Sequence, residues 1–198
     1  MISTIIFDLG GVLFTNGAGL FVQYLAERYH YKEALLDAVI HGPTGSAYRS
    51  GSMSSGDFWK IFKASFPLPL GAAELERIWE FQYELIEETR EIILELRKKY
   101  RVYYLSDTVK KRVDNLQKKY RFLTLFEGGV FSHEAGIRKP NPEIYKKVLA
   151  RAGVSGTEAV FIDDKAHNLA PAAALGIHTI HFTNSRQLKR DLARLNLL

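Results

Sequence analysis

The sequence predicts an α/β fold: a parallel sheet covered by helices on both faces, with a block of helices inserted after the first strand. Three observations carry this. Five short apolar, β-branched-rich or aromatic runs are spread along the chain, each short enough to be a buried strand. From about residue 90 onward these runs alternate with segments of helical period, the order that parallel sheets require. Between the first run and that point, residues 15–88 contain no convincing strand.

In chain order, Ile2–Phe7 is a strand that ends at Asp8 and enters a tight loop at Gly10-Gly11. Leu20–His30, Lys32–His41, Ser55–Ser65 and Ala72–Glu88 read as helices, the last with Leu75, Ile78, Trp79, Leu85 and Ile86 on one apolar stripe. Gly42–Gly56, rich in glycine and serine and containing Pro43, reads as a loop. Arg101–Ser106 is the second strand. Val109, Val113, Leu116 and Tyr120 mark the helix after it, with Lys110, Lys111, Arg112, Lys118 and Lys119 on its exposed face. Gly129–Phe131 is the third strand. Asn141 N-caps a helix opened by Pro142. Ala159–Ile162 and Ile177–Phe182 are the fourth and fifth strands, and Leu188, Leu192 and Leu195 give the last helix an apolar side to dock on the sheet. Residues 1–14 and 89–198 thus form the core. Residues 15–88 read as a lid or cap, the plainer alternative being a helical layer on the sheet edge.

Composition narrows the function. The chain has 198 residues, 46% hydrophobic and 25% charged, which excludes global disorder. No apolar run approaches the roughly 18–20 residues that span a bilayer. Met1–Phe14 lacks a basic start and contains Asp8, unlike a signal peptide. A chain without cysteine has no disulfide, thiolate nucleophile, zinc–cysteine site or iron–sulfur cluster. The net charge of +5 is too small to imply nucleic acid. The expectation is a cytoplasmic protein, monomer or homodimer, with neither nucleic acid nor membrane as partner.

In an open parallel sheet the ligand crevice lies beyond the carboxyl ends of the strands. Here the first strand ends in Asp8, the second in Ser106-Asp107 and the fourth in Asp163-Asp164. Arg138-Lys139-Pro140-Asn141-Pro142 lies between the third and fourth. Buried carboxylates without compensation are costly, so this rim points to a divalent cation and an anionic substrate.

Phe7-Asp8-Leu9-Gly10-Gly11-Val12-Leu13, Leu105-Ser106-Asp107, Lys139-Pro140 with Asn141-Pro142, and Phe161-Ile162-Asp163-Asp164 with Asn168 resemble, in order and spacing, the four motifs of the haloacid dehalogenase-like hydrolase superfamily. The resemblance covers essentially the whole chain and is greatest to the branch that includes sugar-phosphate phosphatases such as glucose-1-phosphate phosphatases. It implies a Rossmann-like sheet of strand order 5-4-1-2-3, with residues 15–88 in the place of the helical C1 cap. It implies a Mg²⁺-dependent phosphatase acting on a small phosphorylated metabolite. Asp8 would be the nucleophile, forming an aspartyl-phosphate. Asp8, the Gly10 carbonyl and Asp164 would ligate Mg²⁺, with one of Asp163 and Asp164 ligating directly and the other acting through water or orienting Lys139. Ser106 and Lys139 would hold the phosphoryl group, with Gly10 and Asp107 beside it.

Two departures from the family pattern stand out. Gly10 replaces the second aspartate that serves as general acid and base in the common phosphatase motif, which implies a bias toward good leaving groups such as anomeric, acyl or phenolic oxygens. Asp107 replaces the usual asparagine. It is expected to N-cap the helix beginning near Thr108; the alternatives are the missing acid or weaker phosphate binding through repulsion. His133 and His167 near the rim are candidate proton donors, and Arg49 either reaches the substrate or is simply solvated. Other functions left open are a dehalogenase-like hydrolase acting at carbon and a catalytically weakened member that only binds.

Overall fold

The computed structural model describes all of residues 1–198. Five strands, β1 (Thr4–Phe7), β2 (Arg101–Ser106), β3 (Gly128–Phe131), β4 (Ala159–Asp163) and β5 (His178–His181), form one sheet. Its order is β3-β2-β1-β4-β5 and every pairing is parallel, which is the expected 5-4-1-2-3 order read from the other edge. Phe7 is in register with Tyr104 on one side and Ile162 on the other. Asp8, the next residue, therefore leaves the sheet between the ends of β2 and β4. This is the point where the strand order reverses and where such sheets bind ligands.

Eleven helices follow in chain order: α1 (Gly17–Tyr29), α2 (Glu33–Ile40), α3 (Pro43–Arg49), α4 (Ser55–Ser65), α5 (Ala72–Phe81), α6 (Glu87–Leu96), α7 (Lys110–Tyr120), α8 (Ser132–Ala135), α9 (Pro142–Ala152), α10 (Ala166–Ala174) and α11 (Ser185–Arg194). Because successive strand side chains alternate in direction, the sheet has two apolar faces. Ile5, Phe7, Val102, Tyr104, Val160 and Ile162 pack with Ile93 of α6 and with Leu188 and Leu192 of α11. Ile6, Tyr103, Leu105 and Phe161 pack with Tyr145 and Val148 of α9 and Ala172 of α10.

Helices α1–α5 enclose a core of their own. Phe21 stacks on Trp79 at 5.1 Å and Tyr48 on Phe58 at 4.5 Å, with Leu25, Leu36, Trp59 and Phe62 filling the remainder. Each fully buried large apolar side chain contributes roughly 1.5–3 kcal/mol, so this layer is held chiefly by its own aromatics. Val109, just before α7, joins this cluster rather than the sheet face.

The structure corrects the sequence reading at four places. The segment read as the Gly42–Gly56 loop contains α3: Pro43 sits in its first turn, where a missing N–H is harmless, and Gly42 and Gly45 let it turn against α2. A Cβ at Gly45 would lie 1.9 Å from the Ile40 carbonyl oxygen. The helix read as Ala72–Glu88 stops at Phe81. Residues 82–86 pair instead with the chain leaving β1: Thr15 N–H donates to the Glu84 carbonyl (2.9 Å), and Ile86 N–H donates to Leu13 (2.8 Å). Leu85 and Ile86 consequently lie outside α5. Leu195 lies past the end of α11 and is 46% exposed, while Leu197 is buried in its stead.

The fourth correction concerns Arg112, read as part of an exposed basic face. It is 1% exposed. Its guanidinium lies 4.3 Å over the Trp79 ring and 4.9 Å over Tyr83, and faces Glu76 of α5 at 3.6 Å. Glu76 also accepts from Tyr48 Oη and Trp59 Nε1 (2.9 and 2.6 Å). The helix bearing Arg112 is therefore clamped onto the aromatic layer by charge and ring stacking. No helix is long and apolar enough to cross a membrane.

Candidate active site

Three carboxylates meet at the switch point. Asp8, Asp163 and Asp164 each place an oxygen within 4.8 Å of the others. Lys139 enters between β2 and β4, 1% exposed, with Nζ 3.0 Å from Asp8 Oδ1 and 2.7 Å from Asp163 Oδ2. It also donates to the Leu105 carbonyl (3.1 Å), so each of its three N–H groups has an acceptor. Burial by itself would depress the Lys139 ammonium, but Asp163, Asp8 and Asp107 overcome it and hold the group well above its usual range. Asp8 shifts the other way. Burial, with repulsion from Asp163 and Asp164, outweighs the attraction of Lys139 and raises Asp8 to about 7.

The two aspartates of the fourth strand end have different jobs. Asp163 is fully buried and accepts from Lys139 Nζ, from Asn168 Nδ2 at both oxygens (3.0 and 3.1 Å) and from the Lys165 main-chain N–H (2.8 Å). Asp164 Oδ1 is buried with no hydrogen-bond partner, and burial raises the carboxyl's pKa. Gly11 lies directly against it. At φ +87° a side chain there would be strained, and a Cβ would lie 2.4 Å from Asp164 Oδ2. The second glycine of the first motif is thus required by the close approach of Asp164, a role the sequence reading did not assign.

An orphaned, buried carboxylate oxygen beside two further carboxylates is what a hard divalent cation would satisfy. The residues present fit such an ion.

Ser106, 4% exposed, lines the same pocket as Asp8, Gly10 and Lys139. Asp107 does not N-cap the following helix, which begins two residues later than expected, at Lys110, with Val109 at the cap position and no side-chain cap bond. Its oxygens accept instead from Arg138 Nε (3.0 Å) and the Lys139 main-chain N–H (3.1 Å). A charge-assisted bond to a guanidinium is worth more than a cap, and it fixes the loop that delivers Lys139. Gly10 is covered by Tyr83, whose ring would lie 3.6 Å from a Cβ there.

His133 and His167 are not brought into the pocket. His133 Nδ1 bonds the Thr108 carbonyl (2.9 Å), and His167 is exposed. Arg49 is in the pocket and is not solvated: it is 5% exposed. His41 lines the same wall, and burial together with Arg49 lowers it to about 4, so it is neutral near pH 7. Lys165 completes the lining. Nothing local in the sequence distinguished His41 or Lys165 from surface residues, because helix packing brings them to this wall.

A buried acidic centre at the switch point of a parallel sheet is the place where open α/β enzymes bind their ligands. Residues 2–176 match the haloacid dehalogenase-like hydrolase family, and the chain belongs to it. It is 27% identical over 193 residues to a sesquiterpene phosphatase of Aspergillus oryzae, covering 96% of this chain and 94% of that one. It is 26% identical over 210 residues to the D-ribitol-5-phosphate phosphatase of Bacteroides thetaiotaomicron, covering 97% of both. Among solved structures, a haloacid dehalogenase family enzyme of Bacteroides thetaiotaomicron in complex with magnesium and inorganic phosphate superposes with a TM-score of 0.74. It is 25% identical, with 92% of this chain and 95% of that chain covered.

Proposed function

We propose that the protein is a Mg²⁺-dependent phosphatase that hydrolyses a small phosphorylated metabolite through an aspartyl-phosphate on Asp8. The observation that carries this reading is the charge balance of the centre. With all three carboxylates ionised, as a bound cation would favour, they and the Lys139 ammonium carry two net negative charges in a buried site, the charge of one divalent cation. The two phosphatase relatives, and the structural neighbour solved with magnesium and inorganic phosphate, support the same chemistry.

Asp8 and Asp164 would hold the ion with the Gly10 main-chain carbonyl. Bound there, it neutralises negative charge on the carboxylates and on the phosphoryl oxygens. Asp163 is spoken for by Lys139, Asn168 and Lys165 and serves to orient Lys139. Lys139, its N–H groups engaged by Asp8, Asp163 and Leu105, supplies positive charge beside the phosphoryl group, and Ser106 its hydroxyl, where charge is shared in the transition state. Asp8 attacks phosphorus; the P–O bond to the leaving group breaks as the Asp8 Oδ–P bond forms. Water then attacks phosphorus, freeing Asp8 and inorganic phosphate. Asp107 acts at one remove, fixing the Lys139 loop beside Arg138. With Gly10 offering no carboxyl and Tyr83 lying over it, substrates whose leaving oxygen needs little protonation are favoured. Residues 15–88 act as the cap. Their separate aromatic core and the two adjacent crossings at residues 13–16 and 82–86 support that division.

The test is hydrolysis of p-nitrophenyl phosphate with Mg²⁺ by the wild type and by Asp8→Asn. Loss of the nucleophile is expected to lower kcat at least ~10³-fold, and EDTA to abolish the activity. If both preparations are equally inert on this ester and on a panel of phosphometabolites, the reading is wrong.

A further inference from the structure

We propose that Arg49, with Arg138 near it, forms a second anion subsite, so that the substrate carries a carboxylate or a second phosphate on the part that leaves. The proposal rests on the phosphatase reading above and names the substrate class for it.

Three cationic side chains are buried in the molecule: Arg49, Arg112 and Lys139. Lys139 has Asp8 and Asp163, and Arg112 has Glu76 and two aromatic rings. Arg49 has no carboxylate within 4.0 Å. Its Nη1 donates to the Ile40 carbonyl (2.8 Å), and its Nη2 is buried with no partner. An unpaired buried guanidinium is costly, and the cost is compounded here by a like charge. Arg138 lies near enough, along the same pocket, that together with burial it lowers Arg49 to about 10. Asp107, whose charge also reaches Arg49, already accepts from Arg138 and from the Lys139 N–H. Three guanidiniums line this pocket; Arg112 faces Glu76 and Arg138 faces Asp107, and Arg49 alone has no carboxylate. A planar or tetrahedral oxyanion between Arg49 and Arg138 would stabilise both.

The position suits the far end of a substrate. Arg49 comes from α3 and bonds Ile40 of α2, on the helical side of the pocket, whereas Asp8 follows β1 of the sheet. Its main chain is anchored independently of its charge. The fully buried Ser132 Oγ donates to the Arg49 carbonyl (2.6 Å) and accepts from Thr108 N–H (3.0 Å), tying the end of α3 to the loop after β2. A guanidinium held at this spot by backbone bonds, and left without an acceptor, has recognition as its remaining task.

The experiment uses the full chain with Mg²⁺ and two matched pairs: 2-phosphoglycolate against 2-hydroxyethyl phosphate, and propane-1,3-diyl bisphosphate against 3-hydroxypropyl phosphate. kcat/KM is measured for the wild type, Arg49→Gln and Arg49→Lys, and the affinity of Asp8→Asn for all four compounds by calorimetry. In at least one pair the wild type should prefer the doubly anionic member by about 10- to 100-fold, mostly through KM. The pair that responds tells carboxylate from phosphate. The preference should fall toward one in Arg49→Gln and be partly kept in Arg49→Lys, with no drop in the melting temperature of Arg49→Gln. No preference in either pair, or one that survives Arg49→Gln, overturns the subsite. So does a fall in melting temperature with an unchanged ratio, which would make Arg49 a structural residue. If no compound is hydrolysed but Asp8→Asn still binds the doubly anionic members more tightly, the phosphatase reading fails and the subsite stands. If it binds both members alike, the subsite fails too.

Discussion

The two walls of the pocket compensate their charges differently. On the sheet side the ammonium of Lys139 and the carboxylate of Asp163 are fully engaged, and Asp164 is the carboxylate that keeps a buried oxygen free. On the helical side Arg49 is buried without an acidic partner, and His41 is held neutral beside it. The sheet wall is thus assembled by folding itself, as preorganised electrostatic catalysis demands. The helical wall is left incomplete, and a ligand has to supply what it lacks.

The largest effect that tests this contrast is on stability. Asp163→Ala removes the main partner of a fully buried ammonium, and breaking one side of a buried pair costs about 3–5 kcal/mol. Urea denaturation should show that loss, whereas removal of the Arg49 charge should not lower stability. Equal losses for both would erase the difference between the walls.

Next in size is the response to metal. If Asp164 is the open position, Mg²⁺ at about 100 times its dissociation constant should raise stability by about 2.7 kcal/mol. Asp164→Asn should abolish most of that rise without matching the intrinsic loss of Asp163→Ala. A thermal-denaturation series with and without EDTA checks both. A full Mg²⁺ response in Asp164→Asn would move the ion elsewhere.

The smallest effect concerns the missing acid. A Cβ at Gly10 makes only an ordinary 3.6 Å contact with Tyr83, so Gly10→Asp should be accommodated. General acid help is worth roughly 10²–10⁴-fold where fully placed. A residue added without its supporting shell should give less, about tenfold, and only on alkyl phosphates relative to p-nitrophenyl phosphate. A uniform change on both ester types would mean that protonation of the leaving group does not limit this enzyme.

Much of the sheet wall was legible in the chain because strand ends are local. A run such as Thr4–Phe7 must be extended and buried, and the residue that follows must emerge at the rim; Asp8, Ser106 and Asp163 were found in this way. Asp107 was misjudged because an Asp before a helix is an ordinary cap. Only the fold shows that Arg138, from a distant loop, competes for it. The break after Phe81 was hidden for a similar reason: Leu85 and Ile86 continue the helical period, and the bonds that stop the helix come from Leu13 and Thr15.

The sequence by itself determined the sheet, the switch point and the acidic centre, since period, turn residues and motif order are properties of contiguous segments. The tertiary structure decided which charges are paired. Arg112 and Arg49 look alike in the chain, yet one is packed between Trp79 and Tyr83 opposite Glu76 and the other is buried with no carboxylate facing it. Whether a charge is compensated depends on groups far apart in sequence, and only folding brings those together.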